Sequence, residues 1–239
     1  MQEVLKYLRK ADNDFNLIEE NDTVLVGVSG GKDSVMLLYA LSIYQKFKEK
    51  QFDLIGVHMN MGFPNSDIEP IKTFMDAHQI PFHVVDVPIY DILTHYLKED
   101  GSLDCSRCSN LKRGAIVNIA KEFSANKIAF AHHGDDAVET FFMNAIHSAK
   151  LDTFQPLIHY EDNEVCFIRP FIYLHESEII QTIKKEELPV VVSQCPKDGF
   201  SSRSEIKALL QEIYEQFPTS KKNLLGMLSH EKGIWKKEK

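Results

Sequence analysis

Apolar residues occur in this chain as short runs, separated by longer stretches in which they recur at helical spacing. The clearest run, 24–28, is β-branched and typical of a strand that is buried on both faces. Similar runs predict strands at 52–58, 82–87, 127–131, 165–169 and 188–192, and the intervening stretches predict helices at 34–48, 66–78, 110–123, 174–186 and 203–217. Strands alternating with helices imply right-handed crossovers, so we predict an α/β protein with a parallel sheet.

The first strand leads into a glycine turn with the sequence SGGKDS. Two glycines allow the backbone to turn sharply and to approach a ligand closely. The unpaired N–H groups of the following helix and its dipole favour an anion at this point, beside a lysine and two hydroxyls. The turn is therefore predicted to bind phosphates, through Ser29, Gly30, Gly31, Lys32, Asp33 and Ser34.

Two better-known phosphate loops do not fit this turn. A GxxxxGK[ST] loop needs glycine where Val26 stands and Ser or Thr where Asp33 stands, and the chain has no GxGxxG. The remaining alternative is an ordinary glycine turn with a solvated lysine and aspartate.

Histidines and carboxylates follow the strand at 127–131, in the sequence HHGDD. The carboxyl ends of parallel strands share one edge of a sheet, so we expect these side chains near the phosphate loop. His133 and Asp135 are predicted to contact the nucleotide, Asp135 also as a catalytic residue, and Asp136 to bind Mg²⁺ that bridges phosphates. His58, at the end of the second strand, is expected to line the same pocket. Alternatively, an aspartate here caps the helix.

Cys105 and Cys108 form a CxxC on a polar loop, 98–110, just before a predicted helix. Cys195, at the end of the last predicted strand, lies on the same sheet edge. Three thiolates can hold three irons of a [4Fe-4S] cluster, or zinc with a histidine or solvent as fourth ligand. A structural zinc knuckle with Cys195 unrelated is the competing interpretation. Cys166 lies in an apolar run and is expected to be a small core residue.

Composition is that of an ordinary globular protein of 239 residues, with 44% hydrophobic and 26% charged residues. With no membrane-length apolar run and no signal peptide, we expect a cytoplasmic protein without membrane contact. The net charge of −8 argues mildly against a nucleic-acid partner, but lysines gather near the C-terminus. We divide the chain into an N-terminal helix (1–20), a main domain (21–217) and a basic tail (218–239). The tail lysines are Lys221, Lys222, Lys232, Lys236, Lys237 and Lys239.

The segments SGGKDS, CSRCSNLKRG, AHHGDDAVET and IRPF, followed by a single late Cys195, occur in the order found in the TtcA-like tRNA thiolases, the tRNA 2-thiocytidine synthetases. The chain resembles that family over 29–203. The resemblance implies an adenine nucleotide α-hydrolase-like (PP-loop ATPase) fold, a Rossmann-like three-layer sandwich. It also implies ATP with Mg²⁺, a [4Fe-4S] cluster on Cys105, Cys108 and Cys195, tRNA as substrate, and sulfide or a cysteine desulfurase as sulfur donor. The N-terminal helix is expected to cap the core or to form a homodimer contact.

Two features depart from the family pattern. The usual second CxxC is reduced here to Cys195 alone. The TtcA-like enzymes often have arginine at the position of Lys112. A lysine at this offset is instead typical of the related thiouridine-forming thiolases, in which it is thought catalytic. The target base is therefore open between a cytidine and a uridine.

The chemistry implied by this resemblance begins with activation of a poor leaving group, the C2 oxygen of a pyrimidine. Transfer of AMP onto that oxygen releases pyrophosphate along the glycine turn, where Lys32 and Mg²⁺ stabilise the developing charge. Sulfur then replaces AMP, with Lys112 protonating or orienting the base. Competing hypotheses are another PP-loop adenylating enzyme, such as a thiouridine synthetase, a lysidine synthetase or a small-molecule sulfurtransferase, and a non-catalytic redox sensor that binds ATP and a cluster.

Overall fold

A computed structural model describes residues 1–47, 50–63, 67–159, 165–191, 195, 202–230 and 233–236. Within these ranges six strands form one sheet. They are β1 (Asp22–Gly27), β2 (Phe52–Asn60), β3 (Phe82–Asp86), β4 (Lys127–Ala129), β5 (Leu157–His159) and β6 (Cys166–Ile168). Their order is β3-β2-β1-β4-β6-β5, and every pair is parallel except β5 with β6. The predicted parallel α/β sheet is confirmed, with an antiparallel edge that the sequence did not reveal.

Helices cover both faces of the sheet. They are α1 (Gln2–Phe15), α2 (Lys32–Phe47), α3 (Glu69–Ala77), α4 (Ile89–Thr94), α5 (Cys105–Glu122), α6 (Gly134–Ser148), α7 (Glu176–Lys185), α8 (Ser202–Gln216) and α9 (Ser220–Ser229). Val24 and Val26 of β1 pack into the larger core with α1, α2 and α6 to α9, whereas Leu25 packs into a second core with α5. This alternation follows from the period of two along a strand. The result is the predicted three-layer sandwich.

The position of β1 determines where the site lies. This strand pairs with β2 on one side and with β4 on the other, so the carboxyl ends of all three meet at one edge. The direction of the strand order also reverses between β1 and β4. Ligands of open α/β sheets bind in the crevice at such a point.

The prediction of a strand at 188–192 is wrong for residues 188–191, the part of this range that the structure describes. Its described residues have no regular structure, and Leu188 is buried. The backbone N–H of Val191 donates to the carbonyl oxygen of Gly30 at 2.9 Å. The apolar run therefore braces the glycine turn instead of joining the sheet. Residue 192 and Ser66, the expected cap of the second helix, lie outside the described residues.

The CxxC does not lie on a loop. Helix α5 begins at Cys105, five residues before the predicted start, because Asp104 is an effective N-cap. Its carboxylate accepts hydrogen bonds from the backbone N–H groups of Ser106 and Arg107 at 2.9 and 3.2 Å. Both cysteines consequently lie in the first turn of a helix, where their spacing is fixed.

Much of the segment predicted as a basic tail, 218–239, packs against the rest of the protein. Helix α9 buries Leu225 and Leu228, and Trp235 is only 1% exposed. The indole N–H of Trp235 donates to the carbonyl oxygen of Phe154 at 3.0 Å. Lys232, Lys237 and Lys239 lie outside the described residues. The division of the chain at residues 20 and 217 stays a prediction. No helix in the described ranges has the combined length and apolarity that crossing a bilayer requires.

Candidate active site

A cavity of about 780 Å³ opens at the carboxyl edge of the sheet. Its walls come from the ends of β1, β2, β4 and β6, from one face of α5 and from the start of α8. This volume is within the usual range for sites that bind small molecules and cofactors. The glycine turn forms its floor.

The glycine turn is held in shape before any ligand binds. Gly30 has φ +94°, a conformation that strains residues with a Cβ. The Ser34 hydroxyl accepts from the backbone N–H of Ser29 at 3.1 Å and donates to the carbonyl oxygen of Gly31 at 2.9 Å. The Ser29 hydroxyl in turn accepts from the N–H of Gly31 at 3.3 Å. The turn is therefore a preorganised anion cradle at the start of α2.

Lys32 stands at the side of this cradle between two carboxylates. Its Nζ lies 3.0 Å from Asp33 Oδ2 and 3.0 Å from Glu176 Oε1 of α7. Burial alone would lower the pKa of Lys32, but the two carboxylates outweigh it and raise the pKa. The side chain therefore remains a cation, as binding to phosphates requires. Within the described part of the chain, Asp33 Oδ1 is buried without a hydrogen-bond partner.

His133, expected to contact the nucleotide, caps α6 instead. Its Nδ1 accepts from the backbone N–H of Asp136 at 3.3 Å, and Asp136 Oδ2 accepts from the N–H of His133 at 3.0 Å. This reciprocal pair is a capping box. The other oxygen of Asp136 faces Arg203 at 3.3 Å, and both of these residues line the cavity. The alternative that an aspartate here caps the helix is correct for Asp136, which nonetheless also reaches the cavity.

Asp135, the expected catalytic carboxylate, is engaged elsewhere. It accepts hydrogen bonds from His175 Nδ1 at 2.7 Å and from the backbone N–H of Glu176 at 2.9 Å, and it pairs with Lys221 at 3.0 Å. Burial would raise the pKa of Asp135, but these partners hold it well below its usual range. Asp135 thus fastens α7 and α9 to α6, and the carboxylate of this motif that lines the cavity is Asp136.

His58 lies where the sequence predicted it. The side chain is buried at the end of β2, lines the cavity and makes a 2.8 Å hydrogen bond from Nδ1 to the carbonyl oxygen of Val28. It therefore ties the end of β2 to the residue that opens the glycine turn.

His132, the first residue of the HHGDD sequence, lines the cavity as well, although no individual role was predicted for it. Its imidazole lies beside the rings of Phe130 and Phe154, with centroids 5.8 and 5.1 Å away. Among the described residues its Nδ1 has no hydrogen-bond partner. Burial, and then the charge of Arg169, lowers the pKa of His132 to about 4, so the ring is neutral at pH 7. The spacing of Phe130 and His132 at the end of a strand was the available signal, since residues two apart share a face.

The CxxC helix brings its chemistry to the same cavity. Ser109, Lys112 and Arg113 of α5 line the same cavity as the glycine turn. Burial raises the pKa of the Cys108 thiol, the adjacent Lys112 ammonium opposes this, and the neighbouring thiols of Cys195 and Cys105 add to it. The three cysteines therefore share one neighbourhood. No three His, Cys, Asp or Glu side chains of the described ranges already converge as a metal site.

Cys166 is not the buried core residue that was expected. It is half-buried on β6, with its Sγ 3.1 Å from His159 Nδ1 on the paired strand β5. It begins β6, a strand parallel to β4, and so lies at the amino edge of the sheet, away from the cavity.

Comparisons with known proteins identify the family. A family model described as a PP-loop domain matches residues 2–212. A tRNA-cytidine(32) 2-sulfurtransferase from Geobacter metallireducens is 35% identical over 223 residues, which cover 92% of this chain and 86% of that protein. A second, from Acinetobacter baumannii, is 32% identical over 232 residues, with 95% and 77% covered. The chain belongs to the TtcA-like branch of the PP-loop family. The resemblance drawn from the short motifs is thereby confirmed.

A solved structure agrees with this family. The U34-tRNA thiolase NcsA from Methanococcus maripaludis, determined with its [4Fe-4S] cluster, matches with a TM-score of 0.76 and 25% identity. The match covers 94% of this chain and 76% of that chain. The PP-loop fold predicted for this TtcA-like chain is confirmed.

Proposed function

We propose that this chain is an ATP-dependent tRNA sulfurtransferase that converts an anticodon-loop cytidine into 2-thiocytidine. The observation that carries the proposal is that one cavity is lined both by the phosphate-binding turn and by Lys112 of the CxxC helix. A nucleotide held by the turn and a base held against α5 would therefore meet in one space. The names of the similar sulfurtransferases supply the substrate, a tRNA cytidine.

The first step transfers AMP. The C2 oxygen of the base attacks the α-phosphorus of ATP, an oxygen–phosphorus bond forms, and pyrophosphate leaves into the glycine turn. Lys32 and the N–H groups of the turn stabilise the charge that accumulates on the departing phosphates. In the second step sulfur bonds to C2, and the oxygen departs with AMP.

Asp33 and Asp136 are the carboxylates that we assign to Mg²⁺. Both line the cavity, and the buried, unpartnered Oδ1 of Asp33 is an oxygen ligand suited to that ion. Asp136 therefore keeps its predicted Mg²⁺ role, whereas we assign no catalytic role to Asp135, because His175 and Lys221 hold its carboxylate.

Cys105, Cys108 and Cys195 are the thiols that would hold a [4Fe-4S] cluster. The other two thiols lie close enough to Cys108 to affect its pKa, and Lys112 beside Cys108 lines the cavity, which supports such a group there. When bound, the cluster supplies an iron without a protein ligand, at which sulfur can be delivered. Lys112, one helical turn after Cys108, orients the pyrimidine by donating a hydrogen bond to it.

The remaining parts of the proposal concern partners and location. Sulfide or a cysteine desulfurase provides the sulfur. The enzyme acts in the cytoplasm, and two copies form a homodimer through α1.

A uridine is the second candidate substrate. Lys112 stands where the thiouridine-forming relatives carry lysine, and the matching solved thiolase acts on U34. The two candidates differ only in the base that reaches the same cavity.

Mass spectrometry of tRNA nucleosides from cells with and without this gene tests the proposal. We expect 2-thiocytidine to disappear in the deletion strain, to return with the wild-type chain and to stay absent with Cys108→Ala. Loss of 2-thiouridine instead would establish the second candidate. An unchanged nucleoside profile would refute tRNA thiolation by this chain.

A further inference from the structure

The cavity has two flanks that lie over different strands. Met59 lies near the end of β2 and Met61 follows that strand, whereas Phe167 belongs to β6 and Arg169 follows it. In the sheet order β2-β1-β4-β6, these flanks are three strand spacings apart, about 14 Å. That span accommodates a nucleotide and a second ring side by side.

Sheet topology assigns the nucleotide to one flank. In doubly wound sheets the phosphates lie at the turn after the first strand and the adenosine extends over the end of the neighbouring second strand. Here that neighbour is β2, with Val57, Met59 and Met61 as an apolar surface for adenine. The flank above β4 and β6 is left for the second substrate.

The β4–β6 flank is walled by aromatic rings that are fixed in place. His132 lies against Phe154. The backbone carbonyl of Phe154 accepts a hydrogen bond from buried Trp235. The Arg169 guanidinium lies over the Phe154 ring, 4.8 Å from its centroid. Rigid aromatic and histidine rings are the surfaces on which proteins stack unpaired RNA bases. The buried Nδ1 of His132, unpartnered within the described chain, has no structural bond to explain its place there.

We propose that His132, supported by Phe154, is the wall against which the target pyrimidine stacks, and that adenine does not bind there. The inference rests on the proposed function, since it names the subsite that the tRNA base occupies in the same cavity. His132 acts on substrate binding, and no bond-making step is assigned to it.

Steady-state kinetics of the anaerobically prepared holoenzyme, with KM measured separately for tRNA and ATP, tests this assignment. Loss of one stacking partner is expected to raise the KM for tRNA about tenfold in His132→Ala. The KM for ATP should stay within about twofold. His132→Phe retains a ring, so its KM for tRNA should return to within about threefold of wild type. The matched control is His95→Ala, which removes the exposed histidine that directly follows α4 and does not line the cavity.

Each outcome decides one question. A KM for tRNA that is unchanged in His132→Ala, or a rise confined to ATP, would overturn the subsite assignment while leaving tRNA thiolation intact. Failure of His132→Phe to recover would show that the nitrogens matter and would overturn stacking as the cause. If the wild-type holoenzyme neither binds nor thiolates tRNA, the proposed function falls and this inference with it.

Discussion

Both edges of the sheet bury polar atoms of ionisable side chains, but those atoms have hydrogen-bond partners at one edge and, within the described residues, lack them at the other. At the amino edge Asp22 and Lys127 are each 3% exposed. Asp22 accepts hydrogen bonds from Asn126 Nδ2 and from the backbone N–H of Glu19, and Lys127 pairs with Glu19 at 3.3 Å. At the carboxyl edge Asp33 Oδ1 and His132 Nδ1 are buried without partners among the described residues.

The difference separates stability from function. A buried polar group without a partner costs free energy, so one that persists is explained best by a ligand that completes it. We call the amino edge closed, because the buried charges named there have partners, and it should contribute to folding alone. We call the carboxyl edge open, because buried polar atoms there lack partners within the described residues, and it should contribute mainly to binding and catalysis. Substitutions at the two edges are therefore expected to change different observables.

The largest effect is expected at the open edge, in Lys32→Met. Without the ammonium, the charge on the departing pyrophosphate loses a stabilising cation, and kcat for thiolation should fall about 100- to 1000-fold. The melting temperature should change little, because Lys32 is partly exposed and its ion pairs within the described residues are with Asp33 and Glu176. Lys72→Met, on the exposed face of α3, is the matched control. A loss smaller than tenfold would remove Lys32 from the proposed mechanism.

At the closed edge, Lys127→Met should reverse this pattern. Removing the buried ammonium leaves the carboxylate of Asp22 without its counter-charge, and the free energy of unfolding should fall by about 3 kcal/mol. Denaturant titration measures this, and kcat of the folded enzyme should match wild type. A substantial fall in kcat at temperatures where the variant is folded would contradict the proposed separation of the two edges.

The same contrast explains what could be predicted from sequence. The glycine turn and His58 follow directly from a buried strand and its end, which are local patterns. Asp136 lines the cavity as predicted, whereas Asp135 does not. Adjacent residues at a helix start differ only in which neighbours they meet, and those neighbours, His175, Lys221 and Arg203, are distant in sequence. Tertiary packing likewise decided the apolar run at 188–191, where Val191 braces Gly30.

The open edge also predicts a pH dependence of stability. Folding lowers the pKa of His132 from an ordinary value of 6.5 to about 4. Between these two pH values the unfolded chain binds a proton at His132 that the folded chain does not. The free energy of unfolding is therefore unaffected above about pH 6.5 and decreases as the pH falls toward 4. At pH 5 the loss is about 2 kcal/mol. Urea unfolding at pH 7.5 and pH 5 should show this loss in the wild type and a smaller one in His132→Phe. Equal losses would mean that His132 is not the group responsible.

The smallest effect is expected at Glu176, a carboxylate that lies beside Lys32 at the open edge but has ion-pair partners like the charges of the closed edge. Its carboxylate lies 3.0 Å from Lys32 and 2.6 Å from Lys207. Burial would raise the pKa of Glu176, but Lys207 and Lys32 outweigh it and keep the carboxylate ionised. A triphosphate must therefore compete with Glu176 for the Lys32 ammonium.

Glu176→Gln removes the competing charge while keeping the shape, so ATP should bind about three- to fivefold more tightly in equilibrium titrations without tRNA, corresponding to about 1 kcal/mol. Glu69→Gln, whose carboxylate pairs with exposed Lys72, should leave ATP affinity unchanged. Weaker binding by Glu176→Gln would instead mean that Glu176 positions Lys32 for the phosphates, which would place this carboxylate with the open edge.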